Sequence, residues 1–426
     1  LLLGIGFLVQ GLRCFPWMAV NFFLKDGLKV DPSTLQILQN SANLPMVAKP
    51  LYGILSDSFY IFGQHRVPYI ALGALLQAAS WISIASFSGS GISFLWITFY
   101  LLLGNLGASI VEVANDAMVA ETATNKQPAP SKTSSSGGGL QSFVWIAASA
   151  GGVVGNLIGG FFINHFSPQL MFAIYGVLLC VQFSVTSFIR ESSLSLPETR
   201  KPAKFNSQMA DLLAALKTPE ILYSIVWFAL SYAVIPALTG TMFYYQTQHL
   251  KIDSWLLGIS KVTGQAAMLL WGVVYNRRLK GIPSRRLISA VQVSMAALMA
   301  SDYLFVKGVY RRRMGIPDSA YVVVVSGLLE VVCFFKMLPF GVLMARLCPP
   351  GFEGSVMAVI TSALALALIV SGYLGVALGS YVVGEDYGGF GRGLLIQCGC
   401  TLLPVFWANR MIPDDEQVSQ LKSGKK

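Results

Sequence analysis

Lys49-Pro50-Leu51-Tyr52-Gly53-Ile54-Leu55-Ser56-Asp57-Ser58-Phe59, followed by His65-Arg66-Val67-Pro68-Tyr69, decides how this chain is read. The block closes one long apolar run, Leu35 to Leu55, and stands just before another, Pro68 to Phe87. Each run has the ~20 residues a helix needs to cross hydrocarbon. Two such helices are therefore joined by a short loop carrying Asp57, His65 and Arg66, with Lys49 and Gly53 in the helix end ahead of it.

The same reading extends outward to twelve expected spans, 2–24, 35–55, 68–87, 93–119, 140–163, 169–190, 219–243, 254–275, 286–307, 320–345, 353–383 and 391–409, numbered here 1 to 12. The chain is 54% hydrophobic and 12% charged, with mean hydropathy +0.62. A soluble domain carries about 25% charged residues. Backbone groups in lipid must be bonded within their own segment, so the spans are helices and the fold class is all-α membrane protein. A membrane barrel would show shorter, alternating segments.

The net charge of +10 invites a nucleic-acid partner, but its placement excludes one. Lys and Arg cluster at 200–204, 277–286 and 422–426, all on one side if both termini are cytoplasmic, as the positive-inside rule expects. Arg311–Arg313 falls on the other side and runs against the rule. The six Cys and three His form no disulfide framework and no metal set, and Cys398-x-Cys400 reads as helix packing. No catalytic constellation is visible, so the chain is not read as an enzyme and no cofactor is expected. Lys132-Thr133-Ser134-Ser135-Ser136-Gly137-Gly138-Gly139 lacks the Gly-x4-Gly-Lys pattern of a phosphate loop and is expected to be a loop before span 5. The chain opens at Leu1 within an apolar run, so its true N-terminus and any targeting peptide are expected upstream.

An internal repeat divides the chain. Gly151-Gly152-x-x-Gly155-x-x-x-Gly159-Gly160 recurs 220 residues later as Ser371-Gly372-x-x-Gly375-x-x-x-Gly379-Ser380, and the same step takes Pro16 to Pro236 and Pro130 to Pro350. The expected organisation is a six-helix bundle over 1–190, a cytoplasmic linker over 191–218, a second six-helix bundle over 219–410 and a cytoplasmic tail over 411–426. Two parallel six-helix halves form the plan of the major facilitator class, in which the halves rock about a midplane site. The flat faces at Gly152, Gly155, Gly372 and Gly375 are expected to press on the opposite half and let it slide. With Lys49, Asp57 and Arg66 they make the candidate gating set. Pro16 and Pro236 break the hydrogen-bond ladder mid-span and can shape a cavity.

Charges at membrane depth are costly and mark function. Arg13 lies one turn before Pro16-Trp17, Lys336 in span 10, Lys261 in span 8. Glu112 and Asp116 are four apart and share a helix face, which suits a group that picks up and releases a proton; Glu330 is the second candidate. Asp116 and Lys336 are related by the repeat step, which suggests a pair that forms and breaks across the cavity.

Phe23-Leu24-Lys25-Asp26, Lys49-Pro50-Leu51-Tyr52-Gly53, Ser56-Asp57-Ser58-Phe59, Asp116-Ala117 with Glu121, Leu140-Gln141-Ser142, Gly151-Gly152-Val153-Val154-Gly155 and Arg346-Leu347-Cys348-Pro349-Pro350-Gly351 together resemble the folate–biopterin transporter family of the major facilitator superfamily, in its plant plastid-type branch. The resemblance implies a carrier of folates and pterins, with protons as the coupled ion, in the plastid envelope and monomeric. A flat pterin ring and glutamate carboxylates want aromatic faces and cations. The resemblance thus implies substrate contacts from Arg13, Lys261 and Lys336 for charge, and Phe15, Trp17, Tyr244 and Trp271 for the ring. Carriage of another organic anion, and a non-transporting scaffold or sensor on the same fold, are the alternatives.

Overall fold

The computed structural model describes residues 2–87, 93–124, 136–191, 205–279, 281–348, 353–384, 386–414 and 417. Residues 132–135 of the expected loop, Pro130 and Pro350, 192–204 of the expected linker and most of the expected tail lie outside them, whereas 136–139, expected in the loop, begin the helix Ser136–His165. Among the described residues the chain is helical, apart from one isolated bridge between Ile61 and Gln64. Among the described residues ten helices are long and apolar enough to cross a membrane, or eleven if Phe205–Ala214 and Pro219–Ala233, bent by 87°, count as one. The chain is an integral membrane protein. Its helices fall into two compact units, Leu1–Val30 with Ser41–Leu212, and Asp31–Asn40 with Leu213–Lys426.

Three expected spans are not single helices. The run 35–55 is built as Pro32–Ala42, a 3-10 turn Leu44–Ala48, and Lys49–Ser58. Pro45 and Pro50 cause the breaks, because each lacks an N–H and its ring presses on the carbonyl four residues back. Span 7 stops at Ala233 and resumes at Thr239–Tyr244, with Pro236 in the gap. Span 1 breaks at the repeat-related place: Leu2–Leu12 ends at Arg13, and Cys14–Phe22 carries Pro16. Pro16 has no N–H to offer the carbonyl of Leu12. A helix, Phe205–Leu216, occupies part of the stretch expected as linker.

The duplication reaches further than the glycine ladder. Phe23–Gly27 and Tyr245–His249 are both π-turns, followed by Leu28-Lys29-Val30-Asp31 and Leu250-Lys251-Ile252-Asp253. Lys29 and Lys251 both adopt the left-handed region, at φ 52° and 51°, which is uncommon outside glycine. The amides of Val30 and Ile252 then bond back to Leu24 and Gln246 at 3.1 and 3.0 Å. Packing follows the same symmetry: span 1 lies on span 5 and span 3 on span 6 in unit 1, span 7 on span 11 and span 9 on span 12 in unit 2.

The core of unit 1 centres on Trp81, stacked on Phe172 and met edge-on by Trp17 and Tyr175. In unit 2, Phe228 stacks on Phe340 with centroids 4.1 Å apart, among Ile221, Ile288, Val356 and Ile360. Spans 1 and 5 approach so closely that a Cβ on Gly11 would lie inside the Ala148 carbonyl. The ladder glycines of span 5 pack in this way inside unit 1: Gly155 faces Cys14, and the Gly152 carbonyl accepts from Cys14 Sγ. Gly372 and Gly375 face Asn40 and Ala237 inside unit 2. Gln36 fixes that region, donating to the Ala237 and Gly372 carbonyls at 2.7 Å and accepting from Gly240 N at 2.8 Å.

Candidate functional site

The break in span 1 turns Arg13 toward span 4, Phe94–Thr124, and there it meets Glu112. Arg13 Nη1 donates to Glu112 Oε1 at 2.9 Å, and Nη2 to Asn105 Oδ1 at 2.5 Å. The break in span 2 sets Lys49 at the head of its last helix, with Nζ 2.7 Å from Glu112 Oε2. Asn105 closes the cluster by donating to the Ala42 carbonyl, freed where Pro32–Ala42 ends, and to Asn43 Oδ1. One carboxylate is thus shared by two cations, whose side chains are 19% exposed against 13% for Glu112. The cluster carries a net positive charge in an apolar bundle. Lys49, expected in the cytoplasmic latch, belongs here instead. Asn105 escaped the sequence reading, because an amide in an apolar run carries no charge to mark it.

Asp116, one turn beyond Glu112, is exposed and makes no hydrogen bond or ion pair among the described residues. Beside the cluster, Gln10, Arg13, Gln77, Glu112, Tyr175 and Gln182 line a pocket with room for about one water. Gln10 Oε1 and Gln182 Oε1 are buried there without a donor, and a water would supply both.

In unit 2 the fully buried Lys336 donates to Ser231 Oγ at 2.8 Å and Gln292 Oε1 at 2.6 Å, with its ammonium 3.6 Å from the Tyr232 ring centroid. No carboxylate among the described residues lies within ion-pair distance of it. Lys261 and Glu330, read separately in the sequence, form a half-exposed ion pair. Trp271 stacks on Phe335 at 4.7 Å and donates to its carbonyl. Phe15 and Tyr244 are buried, Phe15 edge-on to Phe162 and Tyr244 to Phe243, and Trp17 meets Trp81.

Asp57, at the end of the span-2 helix, takes Arg66 Nη2 at 2.5 Å and His65 Nε2 at 3.1 Å on one oxygen. Arg66 also donates to Ser56 Oγ, and the amides of His65 and Arg66 donate to Glu191 Oε2 at 2.6 and 3.2 Å. Burial works to raise the Asp57 pKa, but the His65 hydrogen bond and the Arg66 charge outweigh it and hold the carboxyl below its ordinary range. Asp57, the 65–66 loop and the end of span 6 are thereby tied into one charged knot.

The model of the BT1 family matches residues 10–426. The probable folate-biopterin transporter 7 of Arabidopsis thaliana is 57% identical, with 100% of this chain and 95% of the relative covered. The probable folate-biopterin transporter 8, chloroplastic, of the same plant is 40% identical, over 100% of this chain and 77% of the relative. A crystal structure of a D-xylose-proton symporter superposes with TM-score 0.70 at 15% identity, covering 97% of both chains. That likeness gives the fold: the major facilitator architecture.

Proposed function

The chain belongs to the BT1 family, and we propose that it is a secondary carrier of folates and pterins that works by alternating access with protons. The observation that carries the reading is the Arg13–Glu112–Lys49 cluster. It leaves an unbalanced positive charge at membrane depth, where a charge without function is a liability. Lys336 gives unit 2 a second cation without a carboxylate. Folate brings carboxylates that suit such cations.

The shared carboxylate offers a way to link anion and proton. An arriving carboxylate can take Arg13 or Lys49 only as Glu112 lets go, and protonating Glu112 weakens its hold on both. Asp116, exposed one turn away, is the proposed place from which that proton comes, and the Lys261–Glu330 pair can part in the same way. Trp17 and Trp271 offer ring faces. The Asp57–Arg66–Glu191 knot serves as the latch of the 1–190 bundle, and 219–410 is the second bundle. The relative named chloroplastic supports the plastid envelope, and the working unit in this reading is a monomer.

Purified protein in liposomes, given labelled folate with and without an inward proton gradient, tests the reading. Saturable, gradient-driven uptake is expected. Lys336→Met removes one charge-assisted hydrogen bond to the anion, about 1.5–3 kcal/mol, so apparent affinity falls about tenfold or more. Accumulation of another organic anion but not folate would replace the substrate. Binding without translocation of any anion would favour a sensor.

A further inference from the structure

We propose that Asp302 in unit 2 is a proton-binding site of the transport cycle, reached through the hydroxyls of Tyr310, Ser301 and Tyr321. The proposal rests on the proton-linked carrier reading and goes beyond it. Asp302 lies one turn from the end of Ser284–Val306, the end away from the basic 277–286 loop. It is 4% exposed. Its one hydrogen bond among the described residues is from Tyr321 Oη, at 3.0 Å, and no cation lies within ion-pair distance. The other carboxylates at membrane depth differ: Glu112 has two cations, Glu330 has Lys261, and Asp116 is exposed.

A buried carboxylate without a cation partner costs several kcal/mol as an ion, and the neutral acid avoids that cost. An acid with no structural counter-ion is free to gain and lose a proton without breaking an ion pair. A path to it is present. Tyr321 Oη is 2.9 Å from Ser301 Oγ, and Ser301 Oγ is 2.8 Å from Tyr310 Oη. Tyr310 is half-buried in Val309–Met314, beside the Arg311–Asp318 pair. The Tyr321 ring is clamped between Phe305 and Tyr310, with centroids at 4.2 and 5.1 Å, which aims its hydroxyl.

Each hydroxyl both donates and accepts. Tyr321 Oη can give its one proton to Ser301 Oγ or to Asp302 Oδ1; once it donates to Asp302 and the Ser301 hydroxyl turns to Tyr321 Oη, a proton arriving on Tyr310 lets each O–H hand its own proton inward: Tyr310 to Ser301, Ser301 to Tyr321, Tyr321 to the Asp302 carboxylate. Only O–H bonds form and break, each oxygen ends with the one proton it began with, and Asp302 gains one. Unloading reverses the sequence. The titratable groups facing Asp302 are Tyr321 and, through Ser301, Tyr310. From span 12, Gly391 lies against Tyr303 and Lys307, and Lys307 is beyond ion-pair distance of Asp302. From span 10, Lys336 meets this helix far off, at Gln292, and Glu330 is held by Lys261.

Asp302→Asn keeps an acceptor for Tyr321 and removes the titratable proton. Two measurements decide the matter in the full chain. Proton uptake by purified protein between pH 5 and pH 9, followed with an indicator dye, should fall by one proton per chain in D302N. In liposomes, gradient-driven folate accumulation should fall about 100-fold, the scale of losing a positioned proton carrier, while folate exchange without a gradient stays within about twofold. Tyr321→Phe should slow accumulation and spare exchange. Wild-type accumulation in D302N, an unchanged proton count, or loss of exchange along with accumulation would overturn the proposal. Wild-type protein that neither exchanges nor accumulates folate would sink the carrier reading instead, and the proton count would still decide Asp302.

Discussion

Glu112→Gln isolates what the shared carboxylate does. The substitution keeps the shape but removes the charge that Arg13 and Lys49 divide, at 2.9 and 2.7 Å. One amide oxygen can still accept from one cation, while the new NH2 must face the other, which it cannot bond. All three side chains are less than a fifth exposed, so water does little to replace the lost charge. Removing one partner of a buried ion pair costs about 3–5 kcal/mol. For a unit of this size each kcal/mol moves the melting temperature by about 2–4 °C, so E112Q should melt about 6–20 °C below wild type in detergent. Pairing it with Lys49→Met removes the stranded cation, and the double variant should recover at least about 1 kcal/mol relative to additivity. A melting point for E112Q within 2 °C of wild type, or strict additivity in the cycle, would refute the reasoning.

Two further outcomes follow from the packing and the latch. Gly11→Ala should destabilise unit 1 by about 1–3 kcal/mol through overpacking against Ala148, whereas Gly272→Ala, with nothing within 4 Å of its new Cβ, should be neutral or slightly stabilising; thermal melts of the two side by side read the contrast. Because Asp57 is held below its ordinary value of 3.8 when folded, its contribution is complete above that pH and is lost as pH falls below it through the folded value. Stability lost to Asp57→Asn should therefore be constant from pH 8 to 5 and shrink only in stronger acid, and a loss that fades near neutrality would contradict the Asp57–Arg66 geometry.

Spans 3, 9 and 12 are legible in the sequence, since an unbroken apolar run has one solution in lipid. The breaks at Pro16 and Pro236 are legible too, as prolines inside apolar runs, but that in span 2 is less so. Hydropathy sums side chains, whereas Pro45 and Pro50 act on backbone hydrogen bonds, which hydropathy does not register. Arg13, Glu112 and Lys49 can each be singled out by charge at depth. That they form one cluster cannot, because Arg13 and Glu112 are 99 residues apart and only folding selects the partner. Lys336 is recognisable as a buried cation, but its neutral partners Ser231 and Gln292 are ordinary polar residues in apolar runs. Asp302 obeys the same rule of charge at depth and is overlooked near the end of its run, where a charge ordinarily reaches water.

The segment Asp31–Asn40 sets a schedule for synthesis. Gln36 is made early, yet the carbonyls it bonds, Ala237 and Gly372, are encoded 201 and 336 residues later. At about 5–20 residues per second on the ribosome, the amide waits on the order of 10 to 70 s for its partners. During that wait it needs water, lipid headgroups or a chaperone to satisfy it. The second unit thus begins with a segment made before most of the first, and the chain secures that segment only when its last third has been inserted.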